Sequence, residues 1–214
     1  MEKIVIVDFG GTLVKPEVIS EANELRSSVL KRALPKDDEH AHSEKLYKTN
    51  REFVSKLTGI TEDMKVKYRM NNLDLITLTG EQVQNQIATN LFQIGMYMVA
   101  KKYKKDIAPK GFTEELVRIQ SLGYKIAIVS GMLEIANIKV DYILGQPPVL
   151  GVSNEDNMKG LKNVAFVIGD KLTDLTIAPK AKKIFVKWGH TQGGEEEIAD
   201  YTIEKPSELG EIIC

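Results

Sequence analysis

The chain has 214 residues, 43% of them hydrophobic and 28% charged, which is room for one sizeable core or for a core with a smaller appended unit. Its 29 basic and 30 acidic side chains leave a formal net charge of −1, so no long-range field draws it to nucleic acid or to an anionic membrane surface. The single cysteine, Cys214, excludes an intramolecular disulfide, and no run approaches the roughly 20 apolar residues of a membrane span.

The chain starts on a strand pattern where a signal peptide would need a basic start and a longer apolar run, so a cytoplasmic address is the expectation. That first stretch, KIVIVDFGGTLV, runs from Lys3 into Asp8 and then turns through Gly10 and Gly11 to Thr12. Its apolar residues are consecutive rather than alternating, the mark of a strand covered on both faces. From Pro16 to Lys105 the pattern changes to amphipathic helices with no convincing strand. The clearest helix starts at Thr79 with the capping pattern Thr79-x-x-Gln82 and carries Val83, Ile87, Leu91, Ile94 and Met98 on one stripe, read as helix core. LPKDDEHAHS, Leu34 to Ser43, reads as a polar connection, with His40 and His42 taken as linker residues rather than as a metal site. KKYKKDIAPKG, Lys101 to Gly111, reads as a hinge whose lysines form a solvated helix end rather than a nucleic-acid contact.

After the hinge, GFTEELVRIQSLG predicts a helix with Thr113 as N-cap, Leu116, Ile119 and Leu122 on one face, and Gly123 as its stop. Four further strands follow in KIAIVSG, VDYILG, VAFVIGD and KIFVKWG, beginning at Lys125, Val140, Val164 and Lys183. Strand, helix, strand alternation predicts an α/β fold, a doubly wound parallel sheet built from residues 1–15 and 106–214, with residues 16–105 as an all-helical insert after the first strand.

Parallel strands gather their carboxyl ends on one edge, where ligands bind. Asp8 ends the first run, Ser130 and Gly131 end the second, and Gly169 and Asp170 end VAFVIGD, with Asp174 one helical turn further on. Carboxylates, a hydroxyl and free backbone amides in one pocket make a site for a hard cation and an anion, and oxygen donors of this kind suit Mg²⁺ sharing its shell with a phosphate. Trp188 and His190 fall on the same edge, where loop packing is the favoured reading over substrate contact.

Residues 1 to 15 and about 106 to 214 resemble the haloacid dehalogenase (HAD) superfamily, which is mostly phosphatases. The family's Asp-x-Asp-Gly-Thr motif is matched by Asp8-Phe9-Gly10-Gly11-Thr12, its strand ending in Ser or Thr by IAIVSG with Ser130, and its Gly-Asp-x-x-x-Asp by GDKLTD, Gly169 to Asp174. ADYTIEKPSELGEII, Ala199 to Ile213, is similar to the family's closing strand and helix, and an insert after the first strand is where the family places a helical cap. The resemblance implies a Rossmann-like core and a Mg²⁺-dependent phosphohydrolase acting on a small phosphorylated metabolite enclosed by the cap. It implies Asp8 as nucleophile, forming an aspartyl-phosphate. It implies metal ligation by Asp8, the Gly10 carbonyl, Asp170 and Asp174. Gly11, Thr12, Ser130 and Gly131 are implied as phosphoryl contacts, together with a lysine, Lys159 in preference to Lys162. Oligomeric state is not implied.

The sequence departs from the pattern at Gly10, which stands where the phosphatases carry a second aspartate as acid and base. General acid–base catalysis is typically worth about 10² to 10⁴ in rate, so hydrolysis of ordinary esters is expected to be slow. Gly10 is open to three readings: a turn of positive φ, a missing catalytic group, or room for an unusual substrate. A dehalogenase- or phosphonatase-type hydrolase and a catalytically weak phospho-ligand-binding protein therefore stand as alternatives. The metal-type ligands of GDKLTD count against a metal-independent dehalogenase.

Overall fold

A computed structural model describes residues 2–33, 95–96, 99–100, 102–103, 106–129, 140–143 and 161–214. Contacts divide the chain into two compact units, Met1–Ile19 with Ala100–Cys214, and Ser20–Val99. The first unit holds a six-stranded sheet made of β1 (Lys3–Asp8), β2 (Tyr124–Val129), β3 (Tyr142–Ile143), β4 (Val164–Gly169), β5 (Lys182–Val186) and β6 (Tyr201–Ile203). The order is β3-β2-β1-β4-β5-β6 and every pairing is parallel. The expected strands are all present, and the run at Tyr201 supplies the sixth.

Consecutive apolar residues produce this sheet because side chains on a strand alternate between its faces. Ile4 and Ile6 join Ala127, Val167 and Ala181 in one buried cluster. Val5 and Val7, on the opposite face, are fully buried too. Fully burying a Val or Ile side chain contributes about 1.5–3 kcal/mol, so a strand of this composition is most stable when covered on both sides. The helix α2 (Phe112–Ser121) supplies part of the cover by packing on β2 through its buried Phe112, Leu116 and Ile119.

The start of α2 differs from the Thr113 cap expected. Phe112 is already helical, and Gly111, at φ 86°, holds the N-cap position. Phe112 N–H donates to the Pro109 carbonyl at 3.0 Å, closing a turn just before the helix. Its buried ring meets Trp188 edge-on at 5.8 Å between centroids, and seating that aromatic draws the helix start back. The stop is where expected, since Gly123, at φ 89°, follows the helix and donates to the Gln120 carbonyl. At the far end of the chain, the closing helix (Leu209–Ile212) is tied to α2 by the Arg118 guanidinium, which reaches the carbonyls of Leu209 and Ile213.

Chain order reverses at β1, which lies between β2 and β4. A reversal of this kind opens a crevice at the carboxyl ends of the two strands beside it. Asp8 pairs with Val129 in register, and Val7 with Ile168, so the ends of β1, β2 and β4 lie side by side.

In the second unit, a Cβ added to Gly95 would come within 2.9 Å of the Ala22 carbonyl, so the helical residues around them pack backbone to backbone. Ala22 belongs to α1 (Pro16–Ala33), whose start lies just after the turn that follows β1. The Thr79 helix, the Leu34–Ser43 connection and its two histidines lie outside the described residues. Among the described residues no helix is long and apolar enough to cross a membrane.

Candidate active site

The turn after β1 is closed by its own backbone. Val14 N–H donates to the Phe9 carbonyl at 2.9 Å, and Gly11 N–H to the Val14 carbonyl at 3.1 Å. Gly11 carries the positive φ, 99°, and a Cβ there would overlap the Asp170 carboxylate. The positive-φ reading of Gly10 is thereby corrected, because the left-handed residue is its neighbour. Around Gly10 a Cβ would meet no described atom within 4 Å, and no described residue donates a hydrogen bond to its carbonyl.

Asp170, the residue after β4, is fully buried. Its Oδ1 accepts from the Thr12 hydroxyl at 3.1 Å and its Oδ2 from His190 N–H at 2.6 Å. The loop after β5 closes on it so tightly that a Cβ on Gly189 would overlap the Asp170 side chain. Trp188 fastens the same loop to the first one by donating from Nε1 to the Thr12 carbonyl at 3.0 Å. Asp170 is therefore oriented by residues from the ends of both β1 and β5. Lys171 then extends the backbone, at φ −133° and ψ 157°, before the short helix α3 (Leu172–Leu175). Its N–H donates to Asp174 Oδ2 at 3.0 Å, which turns that carboxylate back toward the strand end.

One oxygen from each of Asp8, Asp170 and Asp174 lies within 4.8 Å of the others. At an effective dielectric of about 20, two like charges about 5 Å apart repel by roughly 3 kcal/mol. Burial, and then the charges of Asp174 and Asp170, push the Asp8 carboxyl well above its ordinary value, against an opposing hydrogen bond from the Phe9 backbone and the Lys171 charge. Burial and the Asp170 charge push Asp174 up to about 6, against the Lys171 charge and hydrogen bonds from Lys171 N–H and the Thr173 hydroxyl. A cation among the three would turn this repulsion into attraction. The donor set, three carboxylate oxygens, fits a hard divalent ion such as Mg²⁺.

Asp8, Gly11, Thr12, Asp170 and Asp174 thus come together as the sequence leads one to expect, and Gly10 lies in the turn between Asp8 and Gly11. The Thr12 hydroxyl is committed to Asp170, which leaves the Thr12 amide as its means of meeting a ligand. Ser130, Gly131 and Lys159 lie outside the described residues. Lys162 is exposed and precedes β4, on the edge opposite Asp170. A strand of six residues separates the two edges by about 20 Å, so Lys162 takes no part in the cluster. Sequence reasoning missed Lys171, which is half-buried beside all this charge. Its place within GDKLTD was read as spacing between two aspartates. Trp188 serves the loop packing favoured for it, while His190 meets Asp170 through its backbone N–H and keeps a buried Nε2 with no partner among the described residues.

No protein-family model and no curated protein matches the sequence. Solved structures do. A candidate phosphatase from Clostridium difficile is 16% identical, with a TM-score of 0.60 over 100% of this chain and 99% of its own. A haloacid dehalogenase-like hydrolase from Streptococcus pneumoniae is 17% identical, with a TM-score of 0.53 over 100% and 99%. A magnesium-bound candidate HAD-hydrolase from Bacillus subtilis is 14% identical, with a TM-score of 0.51 over 99% and 98%. The parallel sheet, the carboxylates at its switch point and these likenesses agree: the chain has the fold of the haloacid dehalogenase-like hydrolases.

Proposed function

We propose that the chain is a Mg²⁺-dependent phosphohydrolase that acts on a small phosphorylated metabolite through an aspartyl-phosphate at Asp8. The observation that carries this reading is the meeting of the Asp8, Asp170 and Asp174 oxygens within 4.8 Å, at an edge where the fold leaves a crevice. Asp8, Asp170, Asp174 and the Gly10 carbonyl would hold Mg²⁺. Bound there, it supplies the countercharge that lets an anionic nucleophile meet an anionic phosphoryl group.

An Asp8 carboxylate oxygen forms the new bond to phosphorus while the bond to the departing oxygen breaks, its electron pair leaving with that oxygen. Water then attacks the acyl phosphate, releasing inorganic phosphate and restoring the Asp8 carboxylate. The amides of Gly11 and Thr12, with Ser130, Gly131 and a lysine, are the groups in this reading that receive phosphoryl oxygens. Residues 16–105 as a helical cap, and a cytoplasmic address, belong to the same reading.

The bare backbone at Gly10 favours substrates whose departing oxygen needs no proton from the protein, such as aryl or acyl phosphates. The same feature favours a second reading, a protein that binds a phosphorylated ligand with little turnover. A panel of phosphorylated metabolites and aryl phosphates, assayed with and without Mg²⁺, separates the two. Asp8→Asn is expected to abolish Mg²⁺-dependent phosphate release, and unchanged turnover in that variant rejects the mechanism. Gly10→Asp is expected to raise turnover of alkyl esters by about 10²-fold or more.

A further inference from the structure

Three carboxylates and one divalent ion leave the candidate site with a net charge of −1. A phosphoryl dianion entering it needs a further cation. Among the described residues Lys15, Arg118, Lys125 and Lys187 are held in ion pairs elsewhere, and Lys162 is on the opposite edge. Lys171 is different. Its backbone is fixed between Asp170 and Asp174 by the bond to Asp174 Oδ2, and its side chain is half-buried. Its ammonium acts electrostatically on both Asp8 and Asp174 without forming an ion pair with either. A lysine close to the nucleophile, and not tied to the carboxylates around it, keeps its donors for an incoming anion.

We propose that Lys171 is the lysine that binds the transferred phosphoryl group, in the role expected of Lys159. The inference rests on the phosphohydrolase reading, but its test does not depend on turnover. Lys171 repels a metal ion and attracts an anion, so its removal moves two affinities in opposite directions. A residue needed only to shape the site would weaken both.

The experiment is calorimetric titration of the full chain, first with Mg²⁺ and then, in the Mg²⁺-loaded protein, with inorganic phosphate. In Lys171→Ala phosphate binding is expected to weaken roughly 10- to 100-fold, the worth of a charge-assisted hydrogen bond, while Mg²⁺ binds as well as in the wild type or better. Lys171→Arg keeps most of the phosphate affinity, and Lys159→Ala stays within about twofold of wild type. Equal phosphate affinity in Lys171→Ala, loss of phosphate binding in Lys159→Ala instead, or a parallel loss of Mg²⁺ and phosphate affinity each overturns the proposal. Phosphate binding that depends on Lys171 in a protein with no turnover sustains the proposal while rejecting the phosphohydrolase reading. A wild type that binds no phosphate in the presence of Mg²⁺ overturns both.

Discussion

Two sets of carboxylates stand at the same edge of the sheet, and their surroundings treat them in opposite ways. Glu195, just past β5, is 2% exposed, yet its carboxyl is held below its ordinary value. Gln192 N–H and Gly193 N–H each donate to one of its oxygens, at 2.7 and 2.8 Å, and the positive φ of Gly193 and Gly194 lets the backbone wrap around it. Asp8 and Asp174 are also partly buried, but they face one another and Asp170, and their carboxyls are pushed up. Burial alone does not decide the fate of an acidic group. What decides it is whether donors or like charges prevail. Around Glu195 the backbone donors prevail, whereas Asp8 and Asp174, though each accepts hydrogen bonds, are pushed up by burial and by the neighbouring carboxylates.

The largest effect expected from breaking this contrast comes from Gly11→Ala. The residue needs φ 99°, and its Cβ would overlap the Asp170 carboxylate. Backbone strain and overpacking together cost about 3 kcal/mol, which corresponds to a fall in Tm of roughly 5–10 °C. Asp170 has to move to make room, so Mg²⁺ affinity falls as well. Calorimetry and a thermal melt of the variant would show whether the two losses occur together.

Next in size is a dependence on pH that reverses when metal is added. The Asp174 carboxyl sits at about 6 in the folded chain against 3.8 for the ordinary group. A folded-state value above the unfolded one gives stability that is complete below the unfolded value and lost as pH rises through the folded one. Without metal, stability should therefore fall between about pH 4 and pH 7, by an amount of order 3 kcal/mol for Asp174, and Tm with it. Added Mg²⁺ should stabilise the protein more as pH rises through that window, because only the ionised carboxylates hold it. Asp174→Asn should flatten both trends, and melts of the two proteins in chelator and in Mg²⁺ measure the difference.

Glu195→Gln is expected to have a smaller effect, with the opposite sign in pH. A carboxyl held below its ordinary value adds stability above the unfolded value and loses it as pH falls through the folded one. The amide keeps one acceptor for two N–H donors, so Tm at neutral pH should drop by roughly 3–5 °C and the gap to wild type should close in acid. Mg²⁺ affinity should be unchanged. If it fell along with Tm, the loop would belong to the metal site and the contrast drawn above would be wrong.

How much of this was legible in the sequence depends on the distance over which each feature is set. The strands were legible because runs such as VAFVIG declare themselves within a few residues, and parallel topology then carries Asp8 and Asp170 to one edge without further information. The Thr12–Asp170 hydrogen bond joins residues 158 apart, and neither carries a local sign of the other. The start of α2 was misplaced because the pull on Phe112 comes from Trp188, a partner outside the local pattern. Lys171 was passed over for a different reason: a motif written as Gly-Asp-x-x-x-Asp fixes the aspartates and hides the charge between them. The unsuitability of Lys162 could have been found by counting, since it precedes the strand whose far end carries Asp170.

The smallest expected effect falls on the residue whose identity is chemically the most telling. Gly10 and Gly11 are neighbours and look equivalent in sequence, yet Gly11 alone has the left-handed backbone and the close carboxylate. At Gly10 a Cβ meets no described atom within 4 Å, so Gly10→Ala should fold as before. Replacing a glycine with alanine where the backbone permits it removes freedom from the unfolded chain and adds about 0.4–1 kcal/mol, a rise in Tm of at most a few degrees. A melt of Gly10→Ala beside Gly11→Ala tests this directly. A loss at position 10 comparable with that at position 11 would mean that the turn itself demands both glycines. A neutral or stabilising result would mean that folding places no requirement on the side chain there, so that the absence of a carboxylate at residue 10 reflects the chemistry of the site rather than the needs of the turn.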